Sequence, residues 1–265
     1  MKNSPVLLQE SSWSPLHAVR LVASDMDGTL THQGQFTPSL LPALATLAET
    51  GVAVLIVTGR SAGWVQAIAH YLPVVGAIAE NGGVLITPGS GVTQLLVDIP
   101  ALAEHRQHLA TMFTQLQTAF PHLTPSVDNP FRLTDWTFDI ENLSPDELHR
   151  IAETCYQAGW DFIYSTVQCH IRPVGQDKGV GLQRVLQQQF PELTATQVVT
   201  VGDSPNDVGL FDASLFPLSV GVANVQHYGD RLRHLPTFIT PSPEVEGFCE
   251  LAAAIAQAQQ PHNQP

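Results

Sequence analysis

Residues 19–30 have the sequence VRLVASDMDGTL, in which an apolar run leads directly into two aspartates and a glycine. The run Val19–Ser24 predicts a buried strand, because a continuous rather than alternating apolar pattern is typical of a parallel sheet covered on both faces. Gly28 allows the chain to turn sharply where this strand ends. The stretch therefore predicts a strand that delivers two carboxylates, those of Asp25 and Asp27, to one edge of a parallel sheet.

The chain after this stretch alternates between helical and strand patterns. A helix is predicted from Pro38 to a stop at Gly51, and a second continuous apolar strand follows at Val52–Val57. Another helix at residues 63–71 and a third apolar run at Val74–Ala79 come next. This order of strands and helices predicts the beginning of a doubly wound α/β fold.

The middle of the chain has its own pattern before the α/β pattern returns. The elements predicted there are a strand at 94–97, a helix at 101–120, a strand at 133–140, a helix at 145–158 and a hairpin or bent strand at 162–172. A helix at 178–190 and a strand at 197–202 then resume the first pattern. We therefore predict a Rossmann-like, doubly wound parallel-sheet core (residues 19–84 and 174–260), an inserted α+β domain (85–173), a loose N-terminal extension (1–18) and a frayed C-terminal end.

The charge balance of the chain limits its partners. Among 265 residues, 24 are Asp or Glu and 11 are Lys or Arg, which gives a net charge of −13. A chain this acidic repels nucleic-acid backbones and anionic membranes, so we expect neither as a partner. An anionic substrate would need a local cation, from a side chain or a metal.

The cysteines and the apolar stretches indicate the compartment. The three cysteines, Cys155, Cys169 and Cys249, form no CxxC motif, which favours a reducing cytoplasm over a disulfide framework or a zinc cluster. No stretch approaches the length of about 18 consecutive apolar residues that a transmembrane helix requires. We therefore expect a cytoplasmic protein.

Polar side chains follow three of the predicted strands, namely Asp25, Thr58 and Asp203. Because the ligand crevice of an open α/β sheet lies beyond the carboxyl ends of its strands, these side chains are expected to meet at one site. An ionised carboxylate such as Asp25 is a nucleophile that needs no activating base, and a second carboxylate, Asp27, can act as general acid and base. Each aspartate could instead form a turn or cap a helix, but the agreement of three strand ends favours a common site.

Two further features indicate a metal and a phosphate. Asp203 and Asp207 join Asp25 in an oxygen-rich set of the kind that Mg²⁺ prefers, and the cation would screen Asp25 from an incoming phosphate. Lys178 lies at the start of a predicted helix, where a cation is poorly placed for the helix dipole. An ammonium beside backbone amides binds phosphate well, so Lys178 is a candidate ligand, although an ordinary surface lysine is the simpler alternative.

Four motifs, in this order, resemble those of the haloacid dehalogenase superfamily. Motif I (DxDGTL) corresponds to DMDGTL at residues 25–30, motif II to Thr58–Arg60, motif III to Lys178 and motif IV to GDSPND at residues 202–207. The ENGG turn at residues 80–83 is also typical of the superfamily. The insertion between motifs II and III resembles the type IIB cap of Cof-like sugar phosphatases, and it is called the cap below.

The resemblance implies a Mg²⁺-dependent phosphatase, that is, a phosphoric monoester hydrolase acting through an aspartyl-phosphate. Asp25 would be the nucleophile, Asp27 the general acid and base, and Lys178 the cation that neutralises the phosphate. The implied metal ligands are Asp25, Asp27 through its backbone carbonyl, Asp203 and, directly or by orienting, Asp207. The implied phosphate-binding residues are Thr58, Gly59, Arg60 and Asn206.

The cap offers candidates for binding the leaving group. His170 and Arg172 alternate along one predicted strand and so share a face, where an arginine could bind a carboxylate or a second phosphate. Arg132 and Trp136 are further candidates, and a place in the cap core is the main alternative for Trp136. The chain resembles sucrose-phosphate and mannosyl-3-phosphoglycerate phosphatases, but the latter group usually has Ser-Ser-Lys-Thr where this chain has TGR at 58–60. We expect a sugar phosphate or a related small phosphomonoester.

Three other functions use similar residues. A sugar phosphomutase of the same cap class would transfer the phosphoryl group within a sugar, and a requirement for a bisphosphate activator would distinguish it. A receiver domain also places Asp, Thr and Lys at strand ends, but this chain is about twice as long and carries an inserted domain. A catalytically inactive binding module is disfavoured by the intact Asp25, Asp27, Lys178 and Asp203. No pattern predicts an oligomeric state.

Overall fold

The computed structural model describes residues 4–89, 93–165 and 167–260, and its strands form two sheets. The large sheet has the order β1-β12-β11-β10-β2-β3-β4-β5-β6, with bounds β1 (Val6–Leu7), β2 (Leu21–Ser24), β3 (Ala53–Val57), β4 (Gly76–Ala79), β5 (Val84–Ile86), β6 (Thr93–Leu95), β10 (Val198–Gly202), β11 (Leu218–Gly221) and β12 (Phe238–Ile239). The small sheet has the order β7-β9-β8, with bounds β7 (Trp136–Asp139), β8 (Trp160–Tyr164) and β9 (Gln168–Pro173). The α-helices are α1 (Leu40–Glu49), α2 (Ala62–Tyr71), α3 (Leu102–Ala119), α4 (Pro145–Gln157), α5 (Lys178–Gln189) and α6 (Glu244–Ala258).

The large sheet reverses its direction of winding between β2 and β10. From β2 the chain proceeds to β3 and β4 on one side, and from β10 to β11 and β12 on the other, all in parallel register. Ser24 pairs with Val201, so the residues that follow β2 and β10 emerge beside each other at the carboxyl edge. In a doubly wound sheet this reversal is where the ligand crevice opens.

Both faces of the large sheet are covered, which explains the continuous apolar runs in its strands. Val22 of β2 packs into an apolar cluster that also contains residues of α1, α2 and α6. Leu21 and Ala23 of the same strand face the opposite side and pack with Leu182 and Val185 of α5. The predicted Rossmann-like core with a covered parallel sheet is therefore confirmed.

The small sheet has one apolar face and one polar face, and both are buried along β9. Cys169 and Ile171 point to the apolar cluster that β7 and β8 share with α3 and α4. His170 lies between them in the strand and therefore points to the other face, yet its side chain is only 1% exposed. That polar face of the cap is thus covered.

The structure corrects the prediction for residues 1–18. Within the described part of this segment, β1 pairs in parallel with β12, and two 3₁₀ helices follow it. Leu8 and Leu16 are buried in the main core. The segment is therefore docked rather than loose, and its isolated apolar anchors are too few to give a period in the sequence. The predicted fraying of the C-terminal end concerns residues 261–265, which lie outside the described residues.

The large sheet also continues past the predicted end of the first core segment at residue 84. β5 and β6 extend it by antiparallel pairing, and Leu96 packs beneath it. The strand predicted at 94–97 for the inserted domain therefore belongs to the large sheet. The sequence of a short hairpin does not indicate which sheet the hairpin joins.

Among the described residues no helix is long and apolar enough to cross a membrane.

Candidate active site

Three buried carboxylates converge at the carboxyl edge of β2 and β10. Asp25, Asp203 and Asp207 each offer an oxygen atom within 4.8 Å of the others, and we call them the carboxylate cluster. The backbone amide of Asp25 donates to Val201 at 2.9 Å, which holds the end of β2 against β10. Two of the strand ends singled out in the sequence, those at Asp25 and Asp203, thus lie together.

Lys178 places an ammonium directly on this cluster. It begins α5, and its fully buried Nζ lies 2.5 Å from Oδ1 of Asp25 and 2.7 Å from Oδ1 of Asp207. Burial alone would lower the pKa of Lys178, but the two carboxylates raise it above its ordinary value. A buried charge persists only when it is paired in this way, so Lys178 is a cation whose place is fixed by the site rather than a surface lysine.

The cluster holds more negative charge than Lys178 can balance. Burial raises the pKa of Asp25 to about 7, with Lys178 opposing and Asp207 adding to the shift. Burial and the neighbouring carboxylates also raise the pKa of Asp203 well above its usual range. Carboxylate oxygens grouped this closely with surplus negative charge are the ligands that a hard divalent cation takes, so the residues present fit Mg²⁺.

Two glycines make room for the cluster. Gly28 has a φ of +80°, and a Cβ there would lie 2.6 Å from Oδ2 of Asp203. A Cβ on Gly202 would lie 2.5 Å from the carboxyl carbon of Asp207. The glycines of motifs I and IV are therefore required because the carboxylates approach the backbone closely.

Asp207 and Asn224 brace the cluster from the side of motif IV. Oδ2 of Asp207 accepts hydrogen bonds from the amides of Asp203 at 2.9 Å and Ser204 at 3.1 Å, which fixes the turn after β10. Nδ2 of Asn224 donates to Oδ2 of Asp203 at 2.8 Å and to the carbonyl of Gly28 at 3.1 Å. Sequence reasoning missed Asn224, because no motif surrounds it.

The carboxylate of Asp27 lies outside the cluster and pairs with Arg60. Nε and Nη2 of Arg60 donate to the two oxygens of Asp27 at 2.8 and 2.6 Å, and the guanidinium also lies 4.7 Å from the centre of the Trp64 ring. Such a two-point contact fixes the plane of the carboxylate. Arg60 is thus placed to orient Asp27, a contact that the sequence did not predict.

A cavity in front of the cluster has walls from both sheets. Its lining residues from the large-sheet side are Asp25, Asp27, Thr58, Gly59, Arg60, Ser204 and Asn206. Its lining residues from the cap are Ser165, Val167, Gln168 and His170, from the turn between β8 and β9 and from β9 itself. The cap therefore covers the side of the cavity that faces the carboxylates.

The predicted cap residues differ in where they lie. His170 lines the cavity, but Arg172, two residues further along β9, donates to Asp161 of β8 at 3.0 Å and does not line it. Trp136 packs against Phe113 in the cap core, with 5.9 Å between the ring centres. The structure thus brings His170 to the site and leaves Arg172 and Trp136 away from it, because the strand continues past the cavity.

Arg132 is buried at the boundary between the cap and the large sheet. It donates to Asp128 at 2.8 Å and to Asp135 at 2.9 Å, and we call these three residues the arginine cluster. Its Nη1 also donates to the carbonyl of Gly59 at 3.0 Å. Arg132 therefore ties the cap to the loop after β3 instead of contacting a leaving group directly.

Glu80 makes a second connection that sequence reasoning did not assign. Its carboxylate accepts from the amides of Leu133 and Thr134 at 2.6–3.0 Å and from the amide of Ala62 at 3.0 Å. Burial raises the pKa of Glu80. The ENGG turn noted in the sequence could have drawn attention to it, but the turn pattern does not indicate what the carboxylate binds.

The comparisons with known proteins agree with this fold. A family model described as haloacid dehalogenase-like hydrolase matches residues 22–117. The phosphoglycolate phosphatase of Methanothrix thermoacetophila is 26% identical over 233 residues, covering 88% of this chain and 95% of that protein.

Two solved structures of phosphatases share the fold. The C-terminal domain of trehalose-6-phosphate phosphatase from C. albicans has a TM-score of 0.71 at 15% identity, covering 97% of this chain and 99% of that one. The sucrose-phosphatase of Synechocystis, in complex with sucrose and phosphate, has a TM-score of 0.65 at 18% identity, covering 89% of this chain and 97% of that one. At these identities the likeness concerns the fold.

The family model therefore confirms the predicted resemblance of this chain to haloacid dehalogenase-like hydrolases. A solved structure from Plasmodium vivax, described as a HAD/Cof-like hydrolase, also shares the fold, with a TM-score of 0.71 at 18% identity, covering 94% of this chain and 99% of that one, which is consistent with the predicted type IIB cap. The family and the phosphatase relatives together support the predicted enzyme class, a phosphoric monoester hydrolase.

Proposed function

We propose that the protein is a Mg²⁺-dependent, cytoplasmic phosphatase that hydrolyses a small phosphomonoester through an aspartyl-phosphate on Asp25. The observation that carries the proposal is the buried carboxylate cluster with Lys178 in contact with Asp25, at the wall of a cavity that the cap covers. A turn or helix cap needs neither a buried lysine nor three carboxylates within 4.8 Å of one another.

The chain supplies a nucleophile and donors for the phosphoryl oxygens. An oxygen of Asp25 attacks phosphorus in line with the ester bond, so that the new Asp25–phosphorus bond forms as the bond to the leaving oxygen breaks. Lys178 neutralises negative charge on Asp25 and on the phosphoryl group. The hydroxyl of Thr58 accepts from the amide of Arg60 at 3.2 Å and keeps its own proton to donate to a phosphoryl oxygen.

Asp27 moves the proton in both half-reactions. It lines the cavity beside Asp25, where the two oxygens held by Arg60 keep its orientation fixed. For the first half-reaction Asp27 must be protonated, with one of its oxygens released from Arg60, and it then gives this proton to the leaving oxygen, which departs as an alcohol. In the second it takes a proton from water as that water attacks phosphorus, which releases phosphate and frees Asp25.

The carboxylate cluster would hold Mg²⁺. The cation would screen the negative charges of Asp25 and the phosphoryl group from each other, which is the chemistry that the surplus negative charge calls for. The carboxylate of Asp203, which accepts from Asn224, and that of Asp207, which accepts from two backbone amides, are both held in place for this purpose.

Two substrate classes are candidates. A sugar phosphate is the first, since the cap fold is shared with sucrose-phosphatase and trehalose-6-phosphate phosphatase. Phosphoglycolate is the second, since curated relatives over most of the chain are phosphoglycolate phosphatases. A sugar phosphomutase would use the same nucleophile, and no specific observation on the described residues favours it over hydrolysis.

The test is phosphate release by the purified protein. We expect release from p-nitrophenyl phosphate and from members of a panel of phosphorylated metabolites, dependent on added Mg²⁺ and lost with EDTA. Activity that persists in EDTA would contradict the metal requirement, and the kcat/KM ranking across the panel identifies the substrate class. A strict requirement for a sugar bisphosphate, without net phosphate release, would favour the mutase.

A further inference from the structure

A histidine–aspartate pair forms part of the cap wall of the cavity. Nδ1 of His170 lies 2.8 Å from Oδ2 of Asp135, and both side chains are almost completely buried, at 1% and 0% exposure. The ring of His170 lines the same cavity as the carboxylates of Asp25 and Asp27. The pair is therefore buried in the protein, and its histidine borders the cavity.

The partners of Asp135 decide which nitrogen of His170 carries the proton. Arg132 donates to both oxygens of Asp135, at 2.9 and 3.1 Å. Burial alone would raise the pKa of Asp135, but Arg132 and His170 outweigh it and lower the pKa to about 2. An ionised carboxylate can only accept, so Nδ1 of His170 carries a proton and donates it. Burial also lowers the pKa of His170, which leaves Nε2 as a neutral acceptor.

The other polar groups that the cap brings to the cavity are already engaged. Gln168 accepts from Arg132 at 2.9 Å through Oε1, and its amide nitrogen donates to Asp128 at 3.4 Å. The hydroxyl oxygen of Ser165 accepts from the amides of Val167 and Gln168. Within the described part of the chain, Nε2 of His170 makes no hydrogen bond, so it is the acceptor that this wall offers to a ligand.

The pair is also fixed relative to the phosphate site. Arg132, which holds Asp135, donates to the carbonyl of Gly59 in the loop that follows β3. Cε1 of His170 lies 3.2 Å from the position that a Cβ on Gly59 would occupy. His170 thus borders the loop of Thr58 and Gly59, so a phosphate bound at this loop would bring the first atoms of its leaving group close to His170.

We propose that His170, positioned by Asp135, accepts a hydrogen bond from a hydroxyl group of the leaving group, so that the enzyme selects phosphate esters of small hydroxylated alcohols. The proposal rests on the phosphatase function proposed above and narrows its substrate class. A lone pair at this position repels a carboxylate, so a leaving group that carries a carboxylate there is disfavoured. Asp135 is the positioning residue, since it contacts the substrate only through His170.

Three substrates with a two-carbon leaving group test the proposal: ethyl phosphate, 2-hydroxyethyl phosphate and 2-phosphoglycolate. They attach a methyl, a hydroxymethyl and a carboxylate group, respectively, to the same phosphorylated carbon. We expect kcat/KM of the wild-type protein to be about tenfold higher for 2-hydroxyethyl phosphate than for ethyl phosphate, as one hydrogen bond provides. We expect 2-phosphoglycolate to be poorer than 2-hydroxyethyl phosphate.

Two variants test separately the acceptor atom, Nε2 of His170, and the contact with Asp135 that orients the ring. In His170→Leu the preference for 2-hydroxyethyl over ethyl phosphate should fall to about one. In Asp135→Asn the amide can donate to Nδ1, which moves the ring proton to Nε2 and makes it a donor. The kcat/KM ratio of 2-phosphoglycolate to 2-hydroxyethyl phosphate should then rise about tenfold, which loss of packing alone would not produce. The control His149→Leu, on the exposed face of α4, should keep the wild-type ratios.

The outcomes distinguish the two proposals. Turnover of p-nitrophenyl phosphate together with equal kcat/KM values for ethyl and 2-hydroxyethyl phosphate would overturn the role of His170 and leave the phosphatase standing. A wild-type preference for 2-phosphoglycolate, or a hydroxyl preference that persists in His170→Leu, would do the same. No hydrolysis of any phosphomonoester would overturn the proposed function itself. Thermal unfolding checks that each variant folds. If Asp135→Asn does not fold, the kcat/KM ratios of the wild-type protein still test the proposal.

Discussion

The large sheet and the cap each bury a cluster of charged side chains, but the two clusters differ in how their charges are balanced. In the carboxylate cluster Asp25 and Asp207 pair with the single ammonium of Lys178, and the pKa values of Asp25 and Asp203 are raised. In the arginine cluster two aspartates share one guanidinium and several neutral donors, and the pKa values of both aspartates are lowered. Full ionisation of the aspartates is therefore disfavoured in the carboxylate cluster and favoured in the arginine cluster.

This difference in charge balance indicates which of the two clusters is suited to catalysis. A buried charged group without a sufficient partner costs folding free energy, so it persists where a ligand supplies the missing charge. The arginine cluster has its partners within the chain and therefore connects the cap to Gly59 as a structural element. In the proposed function, a cation and a phosphate would complete the carboxylate cluster.

The largest effect is expected from removing the nucleophile of the carboxylate cluster. Asp25→Asn should lower kcat for phosphate release by at least about 10³-fold, because an amide cannot form the aspartyl-phosphate. Steady-state release of phosphate in saturating Mg²⁺ measures it. Asp146→Asn, in the exposed first turn of α4, is the matched control and should keep wild-type activity. Full activity in Asp25→Asn would show that the cluster is not the catalytic site.

Removing the cation of the arginine cluster should instead lower the stability of the folded protein. Arg132→Met leaves Asp128 and Asp135 buried without their shared cation, which should lower the free energy of unfolding by about 3–5 kcal/mol. Chemical denaturation at neutral pH measures this. The exposed Arg233→Met should change it by less than about 0.5 kcal/mol. A loss in Arg132→Met no larger than in this control would mean that the two clusters do not differ as described.

Mg²⁺ should stabilise the protein through the carboxylate cluster alone. At a concentration 100 times its Kd, the cation should raise the free energy of unfolding by about 2.7 kcal/mol, since it binds the folded state. Asp203→Asn should abolish this gain, yet it should make the metal-free protein more stable because it removes repulsion from Asp25. Denaturation curves with EDTA and with Mg²⁺ check both effects. An equal gain from Mg²⁺ in the variant would place the cation elsewhere.

The smallest effect concerns pH. Because the pKa of Asp25 is raised to about 7 in the folded state, the metal-free protein binds more protons folded than unfolded between about pH 4 and 7. Its stability should therefore fall as the pH rises through this range, and the fall should be weaker in Asp25→Asn. The lowered pKa of Asp135 acts in the opposite direction, and its stabilisation is lost only as the pH falls from about 4 to 2. Unfolding in EDTA at several pH values tests the sign, and rising stability from pH 5 to 7 would contradict it.

The elements that carry the site followed from local patterns. The strand before Asp25, the strand before Asp203 and the helix that begins at Lys178 were predicted within one or two residues of their observed bounds. Continuous apolar runs and strand-end polar residues are short-range signals, and the order of the parallel strands makes their carboxyl ends meet. Hence the convergence of Asp25 and Asp203 could be predicted from the sequence, whereas the place of Lys178 was implied by its match to motif III.

The contacts between distant segments could not be predicted. Nothing near Asn224 indicates that it braces Asp203, and the sequence gives no reason for Arg60 to pair with Asp27 rather than with a phosphate. The two cap residues His170 and Arg172 share a strand face, yet one lines the cavity and the other pairs with Asp161. Their difference depends on where the cap lies over the large sheet.

By itself, the sequence determined the class of the fold, the order of its elements and the residues that meet at the carboxyl edge, because periodicity and strand-end chemistry act locally along the chain. Only the tertiary structure decided which cap residues face the cavity, which charges find partners and which remain unbalanced. Those properties depend on distances between segments that lie far apart in the chain, and burial sets their electrostatic consequences.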